Sequence, residues 1–136
     1  MKLLSTFLCL ALSLCLLSIP SVARSAVPVN LEIIYMNHGP MQPTIRNLKD
    51  LLAEYHGKVM TQWFDADSSS GKDFMKGKKI QGHIPLLILV NGKKSFSING
   101  KDITFQGFPT GASPFKKVEG NWAIADLRHL LDDLTK

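Results

Sequence analysis

His38-Gly39-Pro40-Met41, with Met36 two positions upstream, gathers more ligand-type side chains than any other stretch of the chain. Imidazole and thioether are soft donors, and together they suit Cu(I). A neutral imidazole accepts a hydrogen bond or takes a metal. The competing reading is packing, because methionine is an ordinary core filler. Thiol chemistry is missing here, since the two cysteines are Cys9 and Cys15. Ser68-Ser69-Ser70 lies in an acidic turn with no nucleophile elbow before it, which argues against a serine hydrolase. His56 and His129 fall on predicted helix surfaces and read as solvated. Asp65 and Asp67 are two carboxylates in a turn, and such pairs usually serve the turn itself. There is no phosphate loop and no dinucleotide fingerprint.

Both cysteines sit in a stretch with the features of an export signal. Lys2 provides a positive start, and Leu3 to Ile19 is uncharged and largely apolar. Pro20 and the small residues Ser21, Ala23 and Ser25 follow, in the pattern of a cleavage site. A membrane span usually needs about 20 apolar residues, and this run is shorter. The reading is a signal peptide over 1–25 and one domain over 26–136, exported to a periplasm or secreted, with no membrane attachment after cleavage. Cys15 follows Leu14, which does not fit a lipoprotein site. The exported domain then has no thiol, and its stability rests on packing and hydrogen bonds. Cleavage removes Lys2 and Arg24, leaving a modest positive balance spread over separate clusters. No basic stripe interleaved with aromatics points to nucleic acid.

Leu31 to Met36 is a continuous apolar run apart from Glu32 and predicts a buried strand. Asn37 is a candidate cap for a helix carrying Ile45, Leu48, Leu51, Leu52 and Tyr55, with Gly57 as its stop. Val59 to Phe64 predicts a second strand, Ser69 to Gly71 a loop, and Asp73 to Lys79 a short helix. Leu86 to Val90 predicts a third strand. Asn91-Gly92 and Asn99-Gly100 are hairpin signals that extend it into a meander, with strands near 93–98 and 101–106 in the same sheet. Gly107 to Gly120 reads as loop, and Asn121 as the cap of a final helix bearing Trp122, Leu127 and Leu131. A strand–helix–strand unit predicts a parallel pair with a right-handed crossover.

This order, with three local features, resembles the thioredoxin family. His38-Gly39-Pro40-Met41 stands where a thioredoxin has Cys-Gly-Pro-Cys. Ile84-Pro85 precedes an apolar strand and Asn-Gly, like the family's cis-proline segment. Phe64-Asp65-Ala66-Asp67 ends the second strand like the family's Val-Asp-Val-Asp. The resemblance spans about residues 31–134. It implies an α/β, thioredoxin-like three-layer fold with a mixed central sheet built from β-α-β and β-β-α units.

The resemblance also implies what is lost. His38 and Met41 replace the attacking and resolving cysteines, so no thiol–disulfide oxidoreductase activity is expected. Glu32 falls where the family keeps a buried carboxylate, and Trp63 where that carboxylate's lysine partner is often found. The family's geometry would bring His83 beside His38, giving a candidate metal set of His38, Met41, Met36 and His83. The cis-proline edge pairs with an extended partner segment in the family, and strand addition of that kind needs no thiol. The candidate binding face is therefore His38, Gly39, Pro40, Met41, Ile84 and Pro85, with Trp63 or Phe108 as further apolar walls. Two functions follow as expectations. One is a non-catalytic module binding a protein or extended peptide. The other is a periplasmic copper-binding protein using His38 and the methionines, with no other cofactor expected. An enzyme using a partner's cysteine is a third, more distant reading.

Overall fold

A strand that is apolar on both faces has to be covered on both, and this requirement organises the domain. The computed structural model describes residues 27–136, and the predicted signal at 1–25 lies outside the described residues. Strand β1, Val29–Tyr35, places Leu31, Ile33 and Ile34 wholly out of solvent. It is the middle strand of a mixed sheet. It runs parallel to β2, Val59–Asp65, in register from Val29 opposite Val59 to Tyr35 opposite Asp65. It runs antiparallel to β3, Leu86–Val90, from Leu31 opposite Val90 to Tyr35 opposite Leu86.

Side chains alternate between the two faces of a strand. Leu31 and Ile33 pack in one core with Ile45, Leu48 and Leu51 of helix α1, Gln42–Ala53, and with Leu127 and Leu131 of the final helix. Phe105 and Trp122 complete that core, edge to face with ring centroids 5.5 Å apart. Ile34 and Met36 face the other way, into a core with Ile84, Leu87 and Leu89. Helix α2, Ser69–Gly77, covers this side through Phe74, which stacks on Phe64 at 3.7 Å. The α/β class with helices on both faces of a mixed sheet is as the sequence predicts.

Glu32 shares the α2 face of β1 and is only 7% exposed. A carboxylate in that position needs a cation. Lys78, at the C-cap of α2, supplies one at 2.9 Å and also lies 5.3 Å from the Phe74 ring. Trp63 does not occupy the lysine's place. It sits on β2 against Tyr35, with Lys49 over its ring.

Several element boundaries differ from expectation, each for a local reason. The residues 69–71 form the first turn of α2 rather than loop, because Ser68 Oγ accepts the Gly71 N–H at 3.0 Å. Gly71 is required there, since a Cβ would stand 1.8 Å from the Asp65 carbonyl oxygen. Asn37 does not cap α1. Its side chain accepts from Gln42 Nε2, and a 3-10 turn over Gly39–Met41 leads into the helix. Asn121 does not cap the last helix. Its amide bridges Thr104 N–H and Asp102 C=O instead. That helix, α3, spans Ile124–Leu134, and Asp126 accepts the Ala123 N–H at 2.7 Å.

The two Asn-Gly turns form as predicted, with φ of 50° and 78° at Asn91-Gly92 and 50° and 75° at Asn99-Gly100. The strands they join, β4 (Ser95–Ile98) and β5 (Lys101–Thr104), make a separate two-stranded sheet. Isolated bridges alone tie this hairpin region to β3, at Leu87–Gln106 and Val90–Lys93. The ladder stops because the next two donors are used elsewhere: Val90 N–H goes to the Lys93 carbonyl and Phe105 N–H to the Lys94 carbonyl.

The helices of the larger core are clamped at one end. The Arg128 guanidinium meets the Glu54 carboxylate twice, at 2.5 and 2.7 Å. It holds that carboxyl below its ordinary range through the hydrogen bond. The Tyr55 hydroxyl donates to Asp132 at 2.7 Å, and burial, then Asp132, push its pKa up to about 12.

Lys78→Met strands a buried carboxylate and should cost about 3 kcal/mol in urea denaturation. Glu32→Gln keeps a hydrogen-bonding group and should cost about 1 kcal/mol. The folded state holds the Tyr55 proton more tightly than an unfolded chain does. Its contribution is therefore complete below pH 10 and lost as pH rises towards 12. Melting temperature across that window should fall less steeply in Tyr55→Phe.

Candidate functional site

Three chain segments converge where β1 and β2 end and β3 begins. Met36 N–H donates to the Pro85 carbonyl at 3.0 Å, and Ala66 N–H to the Tyr35 carbonyl at 2.8 Å. Past Met36 the chain turns tightly, with His38 N–H on the Met36 carbonyl at 2.8 Å. Met41 N–H then returns to the His38 carbonyl at 3.0 Å and opens the 3-10 turn. Pro40 lies in this first turn, where its missing N–H leaves no bond unmade.

A cleft of about 260 Å3 opens at this junction. Met36, Met41 and Phe108 are its buried parts, and Pro40, Pro85, Val118 and Phe115 its walls. The lining is apolar apart from the imidazoles of His38 and His83. One wall comes from the 107–120 segment, which doubles back on itself. Phe108 N–H donates to the Val118 carbonyl at 2.8 Å, and Gly120 N–H to the Phe108 carbonyl at 2.7 Å. Gly107 and Gly120 permit that close approach. A Cβ on Gly107, whose φ is +79°, would stand 2.6 Å from the Val118 oxygen. One on Gly120 would stand 2.1 Å from the Gln106 oxygen.

Of the residues singled out in the sequence, Met36, His38, Pro40, Met41, His83, Pro85 and Phe108 all line this cleft. Gly39 lies in the turn but does not line it. Ile84 is a correction. It is buried on the opposite side with Ile34, Leu87 and Leu89, because in extended chain a residue between His83 and Pro85 points away from both. Trp63 is remote, on β2. The proline segment is a second correction. There is no cis peptide among the described residues, so Ile84–Pro85 is trans. The trans form is the lower in energy for such bonds, and it already sets the Pro85 carbonyl on Met36 N–H.

The sequence reading missed Phe115 and Val118. Phe115 is 67% exposed at the cleft's rim. Its only signal was an aromatic residue in a loop otherwise rich in glycine, proline and lysine.

The candidate metal residues share the cleft but differ in access. Met36 and Met41 are buried, while His38 and His83 are exposed. His38 Nε2 lies 3.8 Å from Asp67 Oδ2, beyond hydrogen-bond length. Asp65 accepts the Asp67 N–H, so it serves the turn as expected. Among the described residues no three His, Cys, Asp or Glu come together in a way that could hold a metal.

Beside the cleft runs Gln81 to Ile84. Their backbone N–H and C=O groups make no backbone hydrogen bond among the described residues. Gln81, Gly82 and His83 are exposed, so this stretch of backbone lies open beside an apolar hollow. The cleft can receive an apolar side chain while the adjacent backbone bonds the segment that carries it.

Comparison with protein-family models, curated proteins and solved structures gave no match.

Phe108→Ala should cost about 3 kcal/mol or more, because it empties packed space between cleft and core. Phe115→Ala should change stability by no more than about 0.5 kcal/mol. Urea melts of the two variants separate the floor of the cleft from its rim.

Proposed function

We propose that this chain is an exported, thioredoxin-like domain without redox cysteines, which binds an extended protein or peptide segment at the cleft. The observation that carries the reading is the pairing of an apolar hollow with the unbonded backbone of Gln81 to Ile84. The thioredoxin-like part is supported by the order β2-β1-β3, with a parallel and an antiparallel neighbour, and by His38-Gly39-Pro40-Met41 meeting Pro85 at one end of it. Thiol–disulfide exchange has no place in this reading, since residues 26–136 contain no cysteine. Export to a periplasm or secretion, with release from the membrane, rests on the signal-like residues 1–25.

A second reading is favoured by one observation: two imidazoles and two thioethers, from His38, His83, Met36 and Met41, line the same cleft. Such donors suit Cu(I). On this reading the protein binds or delivers copper.

A displayed peptide library selected on the protein tests the first reading. The selected peptides should carry an aromatic or aliphatic residue at one fixed position. Binding should protect the His83 and Ile84 amides from hydrogen exchange and should be lost in Val118→Asp. Peptides that still bind Val118→Asp at full strength would sink the cleft reading. Cu(I) competition against a chelator tests the second. Binding that is lost in His38→Ala/Met41→Ala supports it, and unchanged or absent binding removes it.

A further inference from the structure

Lys79 has a left-handed backbone, with φ of +57°. It follows α2 at the position where helices most often place glycine. Ile80 N–H donates to the Met75 carbonyl at 2.9 Å, and Lys79 N–H to the Lys76 carbonyl at 3.1 Å. This pair of bonds demands a left-handed residue between them. Glycine would take that conformation without the steric cost a lysine side chain incurs. Strain kept at such a position is a pointer to function.

Lys79 belongs to a group. Lys72, Lys76 and Lys79 fall on one side of α2 by helical spacing, and Lys94 comes from beyond the β3–β4 turn. These four wall two adjoining hollows of about 450 and 410 Å3, which share Lys79, Ile80 and Gln81. The floor is apolar, from Ile80, Leu87 and Leu89. Among the described residues none of the four lysines has an ion-pair partner. Lys94 donates to the neutral Gln106 side chain at 3.0 Å. Lys78, by contrast, is taken by Glu32. Asp73, the one acid within α2, lines neither hollow.

Lysines near a helix C-terminus often just complement its dipole. That accounts for Lys76. It does not account for Lys72, which lies near the opposite end, or for Lys94, which is not on the helix. We propose that this lysine-walled groove docks an extended acidic segment of a partner protein. Its carboxylates pair with Lys72, Lys76, Lys79 and Lys94, and its intervening apolar side chains seat on Ile80, Leu87 and Leu89. A membrane surface is disfavoured because the apolar residues are recessed below the lysines rather than protruding as anchors. Nucleic acid is disfavoured because no aromatic ring lines either hollow for base stacking. The groove is separate from the cleft. Gln81 and Ile84 line the groove, and His83 and Pro85 line the cleft.

Titration calorimetry with a peptide of alternating glutamate and leucine tests this. The peptide should bind, more weakly as salt rises, and its glutamine counterpart should not. Lys72→Gln/Lys76→Gln/Lys79→Gln should lower affinity about tenfold, while Val118→Asp in the cleft leaves it unchanged. Lys79→Gly should raise the melting temperature and still weaken binding, a combination that a purely structural lysine would not produce. Equal binding by the triple variant, equal binding of the glutamine peptide, or binding to phosphatidylglycerol vesicles in place of the peptide would each overturn the proposal.

Discussion

β1 has no face left for water, and everything else in the domain is arranged around that constraint. Leu31 and Ile33 require α1 and α3 on one side, while Ile34 requires α2 on the other. The one polar side chain the strand directs into a core, Glu32, is tolerable because α2 ends in a lysine that reaches it. β1 is also held at both edges, by β2 and β3, so where it ends is fixed. The turn at His38 cannot drift, because Met36 is bonded to Pro85 and Tyr35 to Ala66. The cleft is thus a property of how the middle strand terminates. Its lining residues are far apart in the chain but anchored to the same few backbone bonds.

What the sequence conveyed best was local sterics. Asn-Gly pairs announce turns that few other residues can make, and both formed with the positive φ values such turns demand. Continuous apolar runs announced β1 and β3 for a similarly local reason. Less legible were polar side chains with several possible partners. Asn37, Ser68 and Asn121 are all good caps by type, yet only Ser68 caps a helix. Which carbonyl or amide comes within reach depends on the tertiary path, and propensity does not encode it. The same holds for Lys78, one of several lysines in a polar stretch, which is distinguished only by its distance from Glu32.

For the candidate site, residue identity was more legible than orientation. Seven of the named residues converge, yet Ile84 turns its back on the cleft and Pro85 keeps a trans bond. The alternation of extended chain explains this. A segment that gives every second side chain to one hollow gives the others to the hollow behind it. His83 to Pro85 therefore forms a partition with an apolar surface on each side, one rimmed by histidines and the other by lysines. Phe115 and Val118 escaped notice because their loop reaches the cleft through bonds between Phe108, Val118 and Gly120, none of which leaves a periodic trace.

The burial of Trp122 gives the molecule a built-in optical reporter. Its indole N–H donates to the Gly107 carbonyl at 3.2 Å, and its own carbonyl receives Thr110 N–H. Both bonds tie it to the arm of the wall that carries Phe108, on either side of that residue. Trp63, the other tryptophan, stands on the far edge strand beneath Lys49. Emission from the first is governed by the wall of the hollow, and emission from the second by the sheet's open border. The two ends of the domain can thus be watched separately, without an attached dye, by replacing one indole at a time.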